Sequence, residues 1–228
     1  MVLRIALLHT AESNVVVFEA SHLDLRFGAD VVLHHEVRPD LLADAEKAGG
    51  LTPEIAKRAQ EALLAMRDGA DAVVLTCSTL GPSVGGVVAG AMTVPMLRVD
   101  EALAQEAVRE GGKVVALCAV ETTIQPTRAL FEEVAQGTGA EIEVRFVFGA
   151  WSAFKEGDRD RYLALVAEAA DEAVREGASR VALAQASMAG AARLTREGLP
   201  PLTSPAVGLR AAVAAAAPQI ARPLHGAV

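Results

Sequence analysis

Val73-Val74-Leu75-Thr76-Cys77-Ser78-Thr79-Leu80-Gly81-Pro82 opens on apolar residues and closes on a thiol, two hydroxyls and a Gly-Pro turn. An uninterrupted apolar run reads as a strand covered on both faces, because such strands lose the polar alternation. Gly81-Pro82 ends it. Cys77 therefore falls where a strand gives way to a loop, and in an open α/β sheet that end borders the ligand crevice. A free cysteine is often only a small buried hydrophobe. The place of Cys77, with Ser78 and Thr79 after it, favours the other reading, a functional thiol.

Working outward, strands are expected at 3–9, 30–37, 72–76 and 95–99, and again at 113–119, 140–148, 180–184 and 202–205. Between them the pattern predicts helices at 15–27, 41–47, 52–67, 100–109, 159–176 and 207–217, and a loop followed by a helix over 122–136. Thr52 and Pro53 supply a cap and a first helical residue for the third of these, and Gly69 closes it. The segment 218–228 has no period and is expected to be loose.

Hydrophobic residues make up 52% of the 228 but aromatics only 4%, so the core must be built of Ala, Val and Leu. That suits parallel sheets beneath Ala-rich helices. A net charge of -8 leaves no electrostatic footprint for nucleic acid. It does not exclude an anionic substrate, since local donors can oppose the global sign. Two cysteines in separate strand-like runs do not make a disulfide framework, so a cytoplasmic location is the expectation. No signal peptide is expected, and no apolar run is long enough to span a membrane.

The pattern restarts near Gly112. Gly69, Leu75, Cys77 and Thr79 fall on Gly177, Leu183, Gln185 and Ser187 at an offset of 108. Leu8, Glu12 and Ser13-Asn14 fall on Leu117, Glu121 and Thr122-Thr123 at an offset of 109. A near-constant offset over distant segments is the mark of an internal duplication. Two copies of domain length mean two similar α/β halves, with equivalent strand ends facing one cleft, where small ligands bind. Asn14, Ser78, Thr79, Thr122, Thr123 and Ser187 become candidates for holding a carboxylate at helix N-termini. Each could instead only cap its helix.

Several stretches resemble the aspartate/glutamate/hydantoin racemase superfamily: Leu7-Leu8-His9-Thr10, Thr76-Cys77-Ser78-Thr79, Glu121-Thr122-Thr123 with Pro126-Thr127-Arg128, Gly149-Ala150-Trp151 with Gly157-Asp158, and Ala184-Gln185-Ala186-Ser187-Met188. The resemblance implies two pseudo-symmetric α/β lobes with four-stranded, mainly parallel sheets. It places 1–99 with 206–228 in the first lobe and 100–205 in the second. It also implies no cofactor or metal, a homo-oligomer, and a small carboxylate or amino-acid substrate. In the racemases so resembled, one cysteine per lobe flanks the substrate α-carbon. Cys77 matches the first and Gln185 stands at the second, where an amide is no proton donor of useful acidity.

The resemblance thus implies a cofactor-independent racemase or isomerase working through Cys77 and the Gln185 position. It equally admits a single-cysteine decarboxylase, a cis-trans isomerase of a dicarboxylate, or a homologue that only binds a small anion. Cys118 aligns with His9, not with Cys77. His9 could tune Cys77 or be structural. Glu12 and Glu121 could bind an ammonium or face solvent, and Arg128 could pair with a carboxylate. His22, His34 and His35 lack metal-ligand spacing. Tyr162, His9 or a water are the candidates for a second proton carrier.

Overall fold

The side chains of the first strand, β1 (Val2–His9), divide by parity. Leu3, Ile5 and Leu7 enter one apolar layer, Ala6 and Leu8 another, as the two-residue period of a strand requires. Both layers are roofed by helices, which is why the central strands read as unbroken apolar runs. The structure, a computed structural model, describes residues 2–27, 30–87 and 94–220, with side chains to 217.

After β1 come α1 (Ser13–Leu25), β2 (Asp30–Val37), α2 (Pro39–Ala48), α3 (Pro53–Ala65), β3 (Ala72–Leu75) and β4 (Met96–Arg98). The strands form a sheet of order β2-β1-β3-β4. Then follow α4 (Val99–Val108), β5 (Gly112–Cys118), α5 (Glu121–Val134), β6 (Ala140–Phe146), α6 (Ala150–Lys155), α7 (Arg159–Arg175), β7 (Arg180–Leu183), β8 (Leu202–Thr203) and α8 (Ser204–Ile220). The second sheet has order β6-β5-β7-β8, and every pairing described is parallel. The fold is therefore α/β, two four-stranded parallel sheets flanked by helices.

The duplication extends to individual hydrogen bonds. Leu8 pairs with Leu75 and Leu117 with Leu183. Thr76 N donates to Leu8 O and Ala184 N to Leu117 O, both at 3.1 Å. Arg38 N donates to His9 O and Val147 N to Cys118 O, both at 2.8 Å. Each pair is related by the offsets of the repeat.

The halves exchange helices. α8 lays Leu209, Ala212 and Ala216 on the β1 and β3 face of the first sheet, together with Phe18 of α1. α4 lays Leu103, Ala104 and Ala107 on the second sheet, beside Leu130 and Phe131 of α5. The two exchanged helices cross closely at Gly208, where an added Cβ would collide with Val99.

Several boundaries differ from the sequence pattern. α1 begins at Ser13 rather than at 15, so Asn14 sits in its first turn. α5 begins at Glu121 despite Pro126 inside it, so Thr122 and Thr123 are helical. α3 stops at Ala65, and α8 starts earlier than expected and runs through Pro218 to Ile220. α6 and the 3-10 turns at Gly81–Gly86 and Ala186–Arg193 were not anticipated. The expected loose tail from 221 on, and residues 88–93, lie outside the described residues. No described helix is long and apolar enough to cross a membrane.

Candidate active site

Parallel strands leave their C-terminal ends along one edge, and the two sheets bring those edges together. Between them lies a cavity of about 70 Å³. Its first-lobe wall is Thr10 and Asn14 after β1, and Thr76, Cys77, Ser78 and Thr79 after β3. Its second-lobe wall is Val120 and Thr123 after β5, and Gln185, Ala186 and Ser187 after β7. Leu42 of α2 and Trp151 and Phe154 of α6 add an apolar side. Cys77 and Gln185, counterparts in the repeat, thus border the same space. The lobes also touch directly here, Ser78 Oγ donating to Ala184 O at 3.4 Å.

Cys77 is buried, and burial pushes its thiol up from the ordinary range. Hydrogen bonding from Thr10 and from the backbone at Leu80 and Thr79 opposes that push, while the charge of Asp100 adds to it. Asp100 is itself buried and held by Arg98 through Nε–Oδ1 at 3.1 Å and Nη2–Oδ2 at 2.8 Å. The Arg98 guanidinium packs against Gly81, where a Cβ would collide with it. The turn carrying Cys77 is therefore backed by a fixed ion pair. Thr79 is only 2% exposed, yet its Oγ1 has no partner. Leaving a buried hydroxyl unpaired is costly, and a ligand in the cavity would satisfy it.

Gln185 is differently placed. Its Oε1 accepts from Ala119 N at 2.6 Å, which fixes the side chain and leaves the amide protons for the cavity. Ser187 Oγ lies 2.7 Å from the Tyr162 hydroxyl, whose residue is fully buried. Thr123 Oγ1 donates to Val120 O at 2.6 Å, a bond within the first turn of α5. Thr122 does not border the cavity. On a helix adjacent side chains diverge, so with Thr123 facing inward Thr122 turns to a neighbouring outer groove with Glu121 and Phe148.

The other candidates separate cleanly. Cys118 is 0% exposed, does not line the cavity, and contacts Thr127 Oγ1 at 3.6 Å. Glu12 and Glu121 are exposed, and Arg128 pairs with Glu132 on its own helix. His9 lies behind the site. Its Nδ1 is 2.8 Å from Thr76 Oγ1, and its Nε2 is 2.8 Å from His35 Nδ1, with His35 Nε2 3.1 Å from Glu19 Oε1. Thr76 gives its own proton to Leu8 O, so His9 donates from Nδ1 and is neutral. Thr10 and Thr76 line the cavity as well. Thr76 adjoins Cys77 in sequence and Thr10 follows β1, but their second-lobe counterparts, Ala184 and Ala119, carry no hydroxyl, so the repeat gave no signal. Among the described residues no group of side chains is arranged to hold a metal ion, and Cys77 is the one ionisable group bordering the cavity.

The family model described as Asp/Glu/Hydantoin racemase matches residues 16–216. The chain belongs to that family. Among solved structures it is similar to the Picrophilus torridus aspartate racemase, at 12% identity over 94% of each chain with a TM-score of 0.70. It is also similar to the Pseudomonas fluorescens allantoin racemase, at 17% identity over 99% of each chain and a TM-score of 0.63. The Thermus thermophilus glutamate racemase aligns at 16% identity, over 98% of this chain and 84% of that one, with a TM-score of 0.64. At these identities the neighbours show the fold. No curated protein sequence matches the chain.

Proposed function

We propose that the protein is a cofactor-independent racemase- or isomerase-type enzyme acting on a small carboxylate, with Cys77 as its acid/base group. The observation that carries this is Cys77 itself, which borders the cavity between the lobes together with its counterpart in the repeat, Gln185. Among the described residues the lining has no charged side chain. The carboxylate is therefore held by neutral donors, the free Thr79 hydroxyl and the Gln185 amide among them. Such donors stabilise an enolate as the Cα–H bond breaks and its electron pair moves toward the carboxylate. The sulfur takes the proton, and S–H forms as C–H breaks.

A second reading rests on Cys77 being pushed up and Gln185 being tied to a backbone amide. A thiol that stays protonated is better suited to giving a proton than to taking one. If a carbon dioxide leaves, its bonding pair remains on the α-carbon and Cys77 protonates it there. Incubation in D2O with aspartate, glutamate, allantoin, maleate and methylmalonate separates the readings by NMR. Deuterium at the α-carbon without loss of carbon supports the first, and carbon dioxide release supports the second. Cys77→Ala should abolish either. In parallel, Cys77 should be alkylated by iodoacetate and protected by malonate. Protection by malonate with neither exchange nor carbon dioxide release from any of the five would leave a binding protein without turnover.

A further inference from the structure

A proton removed on the Cys77 side must be returned from the other side if the configuration at carbon is to invert. Gln185 cannot return it, since a carboxamide is no acid and its oxygen is held by Ala119 N. The second-lobe wall does contain a hydroxyl with an acid behind it. Ser187 lines the cavity, and its Oγ lies 2.7 Å from the phenol of Tyr162. Tyr162 is fully buried on α7, its ring edge-on to Phe154, and Ser187 is the hydrogen-bond partner of its hydroxyl. With the phenol donating, the Ser187 hydroxyl proton is left for the cavity. In the duplicated pattern Ser187 stands where Thr79 stands beside Cys77, so the two hydroxyls reach the cavity from opposite lobes.

We infer that Ser187, backed by Tyr162, delivers the proton to the substrate face opposite Cys77. This rests on Cys77 being the reactive thiol of the cavity, as proposed above. The Cys77 thiolate takes the α-proton from one face, and the C–H pair passes into the enolate. Ser187 gives its hydroxyl proton to the other face of that carbon and takes the phenolic proton of Tyr162 in the same movement. The phenolate recovers a proton from water admitted as the product leaves, and the Cys77 thiol releases its own to water, so the proton count closes. Ser187 is the group that touches the substrate, and Tyr162 acts through it. Burial pushes Tyr162 up to about 12, against the Ser187 bond. The phenol therefore keeps its proton at neutral pH and yields it only to a strong base such as a carbanion.

Maleimide in D2O tests this without knowledge of the substrate. The Cys77 thiolate attacks the double bond, the S–C bond forms, and the π pair moves to the adjacent carbon as an imide enolate. That carbon takes one deuteron, and NMR of the isolated Cys77 peptide reads whether it lies cis or trans to sulfur. The native protein should favour trans by roughly 100 to 1, the low end of what a positioned acid supplies. Ser187→Ala and Tyr162→Phe should both fall to the ratio given by N-acetylcysteine in the same buffer, and Ser187→Thr should restore the preference. Unlabelled Cys118 in each variant shows that the fold is intact. A native ratio equal to that of N-acetylcysteine, or variants that keep the native ratio, would overturn the role of Ser187 and Tyr162 while leaving Cys77 reactive. A folded protein whose Cys77 does not react at all would overturn the underlying reading as well.

Discussion

His9 shows how one side chain ties the site to the rest of the first lobe. It ends β1, is 0% exposed, and joins Thr76 of the cavity wall to His35 of β2 and, through it, to Glu19 of α1. Burial, and then the neighbouring His35, bring His9 down from the ordinary 6.5 to about 3. The folded protein thus resists a proton that the unfolded chain accepts. Above pH 6.5 neither state binds it and there is no penalty. Between 6.5 and 3 the unfolded state binds more protons, so stability falls as the pH falls. The full loss is on the order of 5 kcal/mol. Urea unfolding followed from pH 7.5 to pH 4 should show this slope. In His9→Gln, stability at pH 7.5 should drop while the acid slope becomes shallower. An unchanged slope in that variant would mean that His9 is not the group being titrated.

At the scale of elements, caps and turn chemistry decide the boundaries. Thr52 Oγ1 accepts from Ile55 N at 3.3 Å at the start of α3, with Pro53 in the first turn. Thr52→Ala should cost about 1 kcal/mol. For a chain of this length that lowers Tm by about 2–4 °C, measurable by calorimetry, and Thr52→Ser should recover most of it. This cap was legible because its residue types are specific. The start of α5 was not. Pro126 removes an amide and crowds the carbonyl of Thr122 one turn back, so the sequence pattern suggests a loop where the chain is already helical from Glu121. That half-turn decides which threonine meets the cavity: read as a loop, Thr122 and Thr123 both qualify, and as a helix only Thr123 does. α6 was missed because six residues are too few for a period to show. It nevertheless supplies Trp151 and Phe154, stacked with centroids 4.9 Å apart at the apolar side of the cavity.

At the scale of the whole molecule, the repeat was the most legible feature, because strand register preserves spacing through any divergence of side chains. Register cannot reveal that α4 serves the second sheet and α8 the first, since the exchange is a matter of which face each helix meets. Its consequence is that neither sheet is closed by the chain between its own strands. Without α8, Leu3, Ile5, Leu7 and Val74 would lose the cover of Leu209, Ala212 and Ala216. With it goes the crossing on α4 at Gly208, which links α8 to the helix roofing the second sheet. The two lobes should therefore unfold together. Urea denaturation followed by far-UV circular dichroism, and by fluorescence of Trp151, the sole tryptophan, should give coincident single transitions although Trp151 is carried by the second lobe. Leu209→Ala, a fully buried truncation in the first-lobe layer, should cost about 2–5 kcal/mol and shift both probes equally. A chain ending at residue 203 should lose the cooperative transition, and a peptide of residues 204–220 added in trans should restore it. A truncated chain that kept a sharp transition would show that the first sheet closes without α8. Separated transitions in Leu209→Ala would show that the exchanged helices do not couple the lobes.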